Sequence, residues 1–238
     1  MFLVDVLPEG ELASLAGPEG HHAAAVQRLR VGEQVLLSDG RGTTARATVT
    51  GVGRSTLELR LGERRFQPPG SPRLVVVQGI GKGDRSELAV QAMTEVGVDE
   101  VVPWAATRSV VRWQGERGEK AWRRWGVIAR EAAKQSRRAW LPTVAAPVTG
   151  AQVAARLAAA GGGLVLHEEA TEPLSAAPLP DSGELLVVVG PEGGVSATEV
   201  AEFTAAGARP VRLGETVLRT STAGVAALAV LNARLGRW

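Results

Sequence analysis

Short apolar runs alternate with helix-type stretches over the last two thirds of the chain. The runs at residues 74–80, 100–104, 164–167 and 185–189 are almost continuously hydrophobic, which is typical of strands buried on both faces. Between them, apolar residues recur every three or four positions, as on one face of a helix. Strands separated by helices predict an α/β fold with a mainly parallel sheet.

The N-terminal part has a different pattern. Short β-type runs, separated by glycine-containing turns, lie at residues 34–38, 43–49 and 56–61. Residues 66–72 then contain three prolines and one glycine in seven positions, which is typical of a linker. We therefore predict a small β-rich domain at residues 1–70 and an α/β domain at residues 71–238.

Two amphipathic or apolar helices are predicted further along the chain. One covers residues 119–138 and places a stripe of small and aromatic residues toward the core: Trp122, Trp125, Ala129, Ala132 and Ala133. The other covers residues 220–235 and is expected to be capped by Thr220, Ser221 or Thr222. Its apolar surface suits either the core or a dimer interface.

Two glycine-marked turns lie near the carboxyl end. The first, Gly-Pro-Glu-Gly-Gly at residues 190–194, follows a strand-like run and precedes a capping-box pattern at residues 196–199 that starts a helix. The second lies within residues 213–224. Glycines without Cβ atoms let main-chain amides approach a bound molecule. The turns predict a ligand pocket built mostly from backbone, although a plain strand-to-helix connection has the same local pattern.

The positive charge is concentrated in one segment. Residues 105–140 hold ten basic and three acidic side chains, while the whole chain has a net charge of only +2. Four of the six tryptophans lie in the same segment. Arginines interleaved with aromatic rings suit nucleic acid, because guanidinium groups bind phosphate and rings stack on unpaired bases. We expect most of these tryptophans to lie in the core and the arginines to form a basic surface.

Several classes of protein are disfavoured. The chain has no apolar window long enough for a membrane span and no secretory signal pattern, so a cytoplasmic protein is expected. With no cysteine and three histidines, no metal site is expected.

A third glycine-rich loop, residues 79–83, resembles the nucleotide loop of a Rossmann-type methyltransferase. Its spacing differs from G-x-G-x-x-G, and no acidic residue ends the following strand at residues 100–104. Lys82 is not followed by Ser or Thr, which excludes a P-loop. This alternative predicts that Gly81, and not Gly193, is needed for cofactor binding.

Motifs along nearly the whole chain resemble the RsmE-type SPOUT methyltransferases, which methylate N3 of a uridine in 16S ribosomal RNA. They are the turn at residues 190–194, Leu213-Gly214, Leu218-Arg219-Thr220, and shorter matches at residues 22–40, 82–85, 95–98, 108–110 and 135–138. The resemblance implies a SPOUT-type parallel sheet with a C-terminal deep trefoil knot and a small N-terminal PUA-like β-barrel. It also implies S-adenosylmethionine as cofactor, a homodimer, and 16S ribosomal RNA or the assembled small subunit as partner.

The resemblance implies roles for particular residues. The expected cofactor-binding residues are Leu166, His167, Gly190, Glu192, Gly193, Gly194, Leu213, Gly214, Leu218, Ser221, Thr222 and Ala223. The expected RNA-binding residues are Arg28, Arg30, Lys82, Arg85, Arg108, Arg112 and Arg137. Arg138 and Arg219 are the catalytic candidates, because a cation beside the base favours the N3 anion. His167 is expected either to accept the proton or to bind the cofactor.

The chain departs from the family pattern at two charged positions. Family members usually read L-G-x-R-[IV]-L-R-T-E-T-A, whereas this chain has Thr216 and Ser221 in place of the arginine and the glutamate. We interpret the two changes as the coupled loss of an ion pair. A non-catalytic RNA-binding assembly factor, or a methyltransferase for another RNA, stays an alternative. Lys134 and Arg137 replace a usual glutamate and glycine, which would strengthen RNA binding.

Overall fold

The computed structural model describes residues 1–238, which form two compact units. The first unit comprises residues 1–69 together with residues 133–141, and the second comprises residues 70–132 and 142–238. The short segment 133–141 thus groups with the N-terminal residues although it lies far from them in sequence. None of the helices combines the length and apolar character needed to cross a bilayer.

The first unit is built on a five-stranded sheet with the order β1-β3-β4-β5-β2. Its strands are β1 (Phe2–Leu3), β2 (Leu12–Leu15), β3 (Gln34–Ser38), β4 (Thr43–Val52) and β5 (Leu57–Phe66). All pairs are antiparallel except β1 with β3. Helix α1 (Gly17–His21) continues into a π-helical turn at His22–Val26. The alternating pattern of β5 buries Leu57, Leu59 and Leu61, which form the core of this unit with their neighbours.

The second unit contains a six-stranded, fully parallel sheet with the order β11-β9-β10-β6-β7-β8. Its strands are β6 (Arg73–Gly79), β7 (Glu100–Trp104), β8 (Thr143–Val144), β9 (Gly162–Leu166), β10 (Glu184–Val189) and β11 (Arg209–Val211). Its helices are α2 (Asp84–Glu95), α3 (Gly115–Gln135, whose end groups with the first unit), α4 (Gly150–Ala159), α5 (Ala197–Ala205) and α6 (Thr220–Arg234). The prediction of a parallel sheet between helices is confirmed.

Both faces of this sheet are covered. Alternate residues of β6 point to opposite sides, so that Leu74 and Val76 pack with α2 and α6 while Val75 and Val77 pack with α4 and α5. The central strands are therefore hydrophobic at nearly every position, which is why they were recognisable as continuous apolar runs.

The ends of α3 and α6 differ from the predictions, whereas the start of α5 agrees. Helix α3 begins at Gly115 and ends at Gln135, shortly before Arg137, whose φ of 57° is left-handed. The N-cap of α6 is Arg219 and makes no side-chain capping bond, so the expected cap by Thr220, Ser221 or Thr222 is wrong. The predicted capping box of α5 is confirmed, with the Ser196 hydroxyl accepting from the Glu199 amide.

The tryptophans of the basic segment are mostly engaged in packing. Trp125 is 2% exposed and Trp104, just outside the segment, is fully buried. Trp113 packs edge-on against Trp125 at a ring-centroid distance of 4.9 Å. Packing in the core is thus confirmed for Trp104 and Trp125, whereas Trp113, Trp122 and Trp140 are only partly buried.

An ion-pair cluster lies at the amino ends of the strands. Arg156 donates two hydrogen bonds to Glu100, at 2.8 and 3.0 Å, and two to Glu184, at 2.9 and 2.8 Å. Arg73 contacts the same two carboxylates at 2.7 and 3.0 Å. Because Arg73, Glu100 and Glu184 begin β6, β7 and β10, the cluster joins three strands at this edge.

Candidate active site

A cavity of about 410 Å³ lies at the carboxyl ends of the strands in the second unit. Three segments form its walls: residues 166–168 at the end of β9, residues 190–195 after β10, and residues 212–219 after β11. The first turn of α6 completes the lining with Thr220 and Ala223. This edge is where open parallel sheets usually bind ligands.

Most of the predicted cofactor-binding residues line this cavity. They are Leu166, His167, Gly190, Glu192, Gly193, Gly194, Leu213, Gly214, Leu218 and Ala223. Ser221 and Thr222 lie outside the lining, because successive helical residues are 100° apart and only Thr220 and Ala223 share the face toward the cavity. Ser221 is instead buried, and the Thr222 hydroxyl donates to the Arg219 carbonyl at 3.1 Å.

Other lining residues were not predicted as part of the pocket. They are Arg85, Glu168, Val189, Pro191, Val195, Val211, Arg212, Thr216, Val217 and Thr220. Val189 and Val211 end strands β10 and β11, so their position at the cavity follows from the topology. Arg85 was expected to bind RNA, and no local feature of the sequence distinguished Arg212 or Val217.

The first glycine turn is closed by its own backbone. The Gly194 amide donates to the Pro191 carbonyl at 2.9 Å, and the φ of Gly194 is 73°, a left-handed conformation that favours glycine. A Cβ added at Gly190 would lie 2.9 Å from the Gly194 carbonyl carbon and from the Val195 nitrogen. The turn can therefore fold tightly only because residue 190 has no side chain.

The glycine-rich loop at residues 79–83 supports this turn and contributes nothing to the cavity lining. A Cβ added at Gly79 would lie 2.5 Å from the Pro191 nitrogen. The Lys82 amide donates to the Glu192 carboxylate at 2.9 Å. Close packing against residues 190–192 thus accounts for Gly79 and Gly81, and a φ of 65° for Gly83. This disfavours the alternative of a Rossmann-type nucleotide loop.

His167 has a defined hydrogen-bonding direction. Its Nδ1 accepts from the Glu169 amide at 3.3 Å, while its backbone amide donates to the Val211 carbonyl at 3.0 Å. Because Nδ1 is an acceptor, the neutral ring carries its proton on Nε2 and can only donate there. This geometry favours hydrogen bonding to a ligand over acceptance of a proton from a substrate.

Comparisons with known proteins agree with this architecture. The family model of an RNA methyltransferase domain matches residues 69–232, and that of an RNA methyltransferase PUA domain matches residues 15–62. The ribosomal RNA small subunit methyltransferase E of Mycobacterium tuberculosis is 46% identical over 243 aligned positions, covering 100% of this chain and 93% of the relative. The chain belongs to the ribosomal RNA small subunit methyltransferase E family.

Further members of the methyltransferase E family support this assignment. The Bacillus subtilis protein is 31% identical over 95% of this chain and 91% of its own length. The crystal structure of the Neisseria gonorrhoeae protein, bound to S-adenosyl methionine, has a TM-score of 0.85 at 28% identity and covers 98% of this chain and 96% of that one. The resemblance and the predicted fold class are confirmed, whereas the trefoil threading itself stays a prediction.

The two catalytic candidates of this family member lie in different units. Arg219 lines the cavity with an exposed side chain that makes no hydrogen bond or ion pair within the structure. Arg138 belongs to the segment that groups with the first unit, and its amide donates to the Ala133 carbonyl at 3.0 Å. Of the two, Arg219 has a guanidinium group available at the cavity.

The expected RNA-binding residues are all exposed, and they are distributed over both units. Arg28, with a φ of 54°, Arg30 and Arg137 belong to the first unit. Lys82, Arg85, Arg108 and Arg112 belong to the second. Their role in binding RNA stays a prediction.

Some of the positive charge in this region is structural. Arg108 donates to the Gly193 carbonyl at 3.1 Å and so contacts the first glycine turn directly. On α3, Arg123 pairs with Glu119 at 3.1 Å and Arg124 with Glu87 at 3.3 Å. The helix surface is therefore less positive than the residue count alone indicates.

A buried carboxylate supports the segment before Arg108. Glu199 accepts from the Thr107 amide at 2.7 Å and from the Ser196 amide at 2.9 Å. Burial opposes ionisation of Glu199, but these hydrogen bonds and that of the Ser196 hydroxyl outweigh it and hold its pKa below the usual value. The start of α5 therefore fixes the approach to Arg108.

Proposed function

We propose that this protein transfers the methyl group of S-adenosylmethionine to N3 of a specific uridine in 16S ribosomal RNA. The observation that carries the proposal is the cavity at the carboxyl edge of the parallel sheet, whose walls include ten of the twelve expected cofactor-binding residues. It occurs in a chain that is 46% identical over its whole length to a ribosomal RNA small subunit methyltransferase E.

The cavity suits a cofactor of this kind. Its volume of about 410 Å³ lies within the range of roughly 300–1,000 Å³ usual for small-molecule sites. Gly193 and Gly194 leave main-chain atoms accessible in its wall, and such atoms can recognise the edge of an adenine ring. His167 adds an N–H donor. The cofactor, when bound, supplies an electrophilic sulfonium methyl group.

The residues of the chain must then prepare the nucleophile. Uridine N3 carries an imide proton and attacks poorly until that proton leaves. A fixed positive charge beside the base stabilises the N3 anion, because opposite charges favour the ionised form. Arg219 is our first candidate for this role and Arg138 the second.

The experiment that tests the function is a methyl-transfer assay with labelled S-adenosylmethionine. Free 16S RNA and assembled small subunits are offered separately, and the modified nucleotide is mapped by mass spectrometry. We expect 3-methyluridine at one position in at least one of the two substrates. Labelling of another atom would contradict the proposed target. No labelling in either substrate while the cofactor binds would favour the assembly-factor alternative.

We also propose that the protein acts as a homodimer. Helix α6 supports this, because Val225, Ala226, Ala229 and Val230 are only partly buried within the chain. Light scattering coupled to gel filtration should give twice the chain mass of 24.8 kDa. A monomer at micromolar concentration would contradict this part of the proposal.

A further inference from the structure

Three segments meet beside the cavity at a tightly packed junction. They are the end of β6 at Gln78 and Gly79, the start of the first glycine turn at Gly190, and the first residue of α6, Thr220. Gly79 lies so close to the backbone of residues 190 and 191 that a Cβ atom added to it would clash with them. The strand and the turn are therefore in direct contact. Both polar side chains at the junction are buried: Gln78 is 0% exposed and Thr220 is 7% exposed.

Two hydrogen bonds connect the three segments in series. The Gln78 Nε2 donates to the Thr220 Oγ1 at 2.8 Å, and the Thr220 Oγ1 donates to the Gly190 carbonyl at 2.7 Å. A hydroxyl group has a single hydrogen, so the threonine can supply the Gly190 carbonyl only if its other partner is a donor. The amide of Gln78 meets that requirement.

The direction of this series is fixed by its surroundings. Gln78 Nε2 also donates to the Gly79 carbonyl at 3.2 Å, so a reversed amide would place its oxygen against a carbonyl oxygen. In the observed orientation the Gln78 Oε1 is buried without a hydrogen-bond partner. A buried acceptor without a partner is costly, so the two donor contacts of Gln78 must outweigh that cost.

We propose that Thr220 is a positioning residue of the cofactor site, with Gln78 as its support. By donating to the Gly190 carbonyl, Thr220 fixes the peptide group with which the cavity-lining turn begins. Within the turn, the Gly194 amide donates to the Pro191 carbonyl, and Lys82 and Arg108 contact its later residues, Glu192 and Gly193. Thr220 therefore acts on cofactor affinity through Gly190, and this inference rests on the proposed function.

The test compares two substitutions at residue 220. Thr220→Val keeps the shape of the side chain and removes the hydroxyl, whereas Thr220→Ser keeps the hydroxyl. We expect Thr220→Val to raise the Kd and the KM for S-adenosylmethionine about tenfold, equivalent to ~1.4 kcal/mol. The kcat at saturating cofactor should change much less than the KM. Thr220→Ser should stay close to the wild type in both constants.

The matched control is Thr94→Val in helix α2. Thr94, like Thr220, is a buried threonine of the second unit, and its hydroxyl donates to the Val90 carbonyl at 2.8 Å, outside the cavity lining. We expect this control to lower thermal stability without changing the cofactor Kd. A general loss of stability would affect both valine variants, whereas a positioning role affects only Thr220→Val.

A substitution at residue 78 tests the direction of the two hydrogen bonds. In Gln78→Glu the donor nitrogen becomes an oxygen, which competes with the Gly190 carbonyl for the single hydroxyl hydrogen. We expect a higher cofactor Kd than in the wild type, at a pH where the variant remains folded by circular dichroism. If this variant does not fold, the comparison at residue 220 still decides the proposal.

The possible results distinguish failure of the positioning role from failure of the proposed function. Equal Kd values for the wild type and Thr220→Val would overturn the positioning role alone. The same holds if Thr220→Ser binds as weakly as Thr220→Val, or if Thr94→Val weakens binding equally. A wild type that fails to bind S-adenosylmethionine in calorimetry would overturn the proposed function and this inference together.

Discussion

Arg156 is expected to stabilise the second unit without taking part in cofactor binding, because its ion-pair cluster lies at the amino ends of the strands. The side chain of Arg156 is 28% exposed, and its partners Glu100 and Glu184 are 9% and 30% exposed. Removing one partner of a fully buried pair costs roughly 3–5 kcal/mol. The cost is smaller here, because Arg73 still pairs with Glu100 at 2.7 Å and because solvent screens the exposed part of the ion-pair cluster. We therefore expect Arg156→Met to cost about 2–3 kcal/mol.

The matched control is Arg209→Met. Arg209 also makes a bidentate pair, with Glu172, but its side chain is 52% exposed. Exposed ion pairs contribute roughly 0–1 kcal/mol, so this change should cost less than about 1 kcal/mol. Urea unfolding at pH 7 measures both variants, and calorimetry should give the wild-type affinity for S-adenosylmethionine in each. Equal stability losses, or a weaker affinity in Arg156→Met alone, would refute the reasoning.

The same cluster predicts a dependence of stability on pH. Hydrogen bonds from Arg156 outweigh the effect of burial and hold the pKa of Glu184 below its ordinary value of 4.5. A lowered folded-state pKa stabilises the fold above the unfolded-state value, and that contribution is lost as the pH falls through the folded-state value. As the pH is lowered below about 4.5, the free energy of unfolding should therefore decrease less steeply in Arg156→Met than in the wild type. Parallel curves would contradict this.

Three further predictions concern the cavity. Gly190→Ala should weaken cofactor binding about tenfold or more in calorimetry, because the turn must open to admit a Cβ atom. The control Gly126→Ala, at a residue with open space around it, should leave the affinity unchanged. Arg219→Gln should lower kcat by about 10²–10³ while the cofactor Kd is retained, and a fall in affinity alone would contradict the catalytic role. Ser221 is buried, so Ser221→Glu alone places an unpaired charge there and should impair cofactor binding more than Ser221→Glu combined with Thr216→Arg. Additive effects of the two substitutions in a double-mutant cycle would reject the coupling between these positions.

Four of the six strands of the second unit, β6, β7, β9 and β10, could be predicted from sequence because they are buried on both faces. The run at residues 100–104 matches β7 at both ends, and that at 185–189 matches β10 to within one residue. The four-residue β2 was missed, since it is short and only two of its residues are buried. Local hydrophobic pattern thus identifies central strands and leaves short edge strands undetected.

The cavity was predictable to the extent that glycine marks it. Backbone contacts at Gly190 and a positive φ at Gly194 require glycine, and the glycines themselves are visible in the sequence. Thr220 was interpreted as a helix cap, but its hydroxyl donates to Gly190, thirty residues away in sequence. Contacts of this kind depend on which segments the fold brings together. For the same reason the grouping of residues 133–141 with the first unit had no local signal.

The most direct test of the central claim is a crystal structure of the protein with S-adenosylmethionine bound. We predict that the cofactor lies in the cavity between the turn at residues 190–194 and the segment 212–219, with Thr220 still donating to the Gly190 carbonyl. A cofactor bound instead along the loop at residues 79–83, or anywhere outside this cavity, would contradict it.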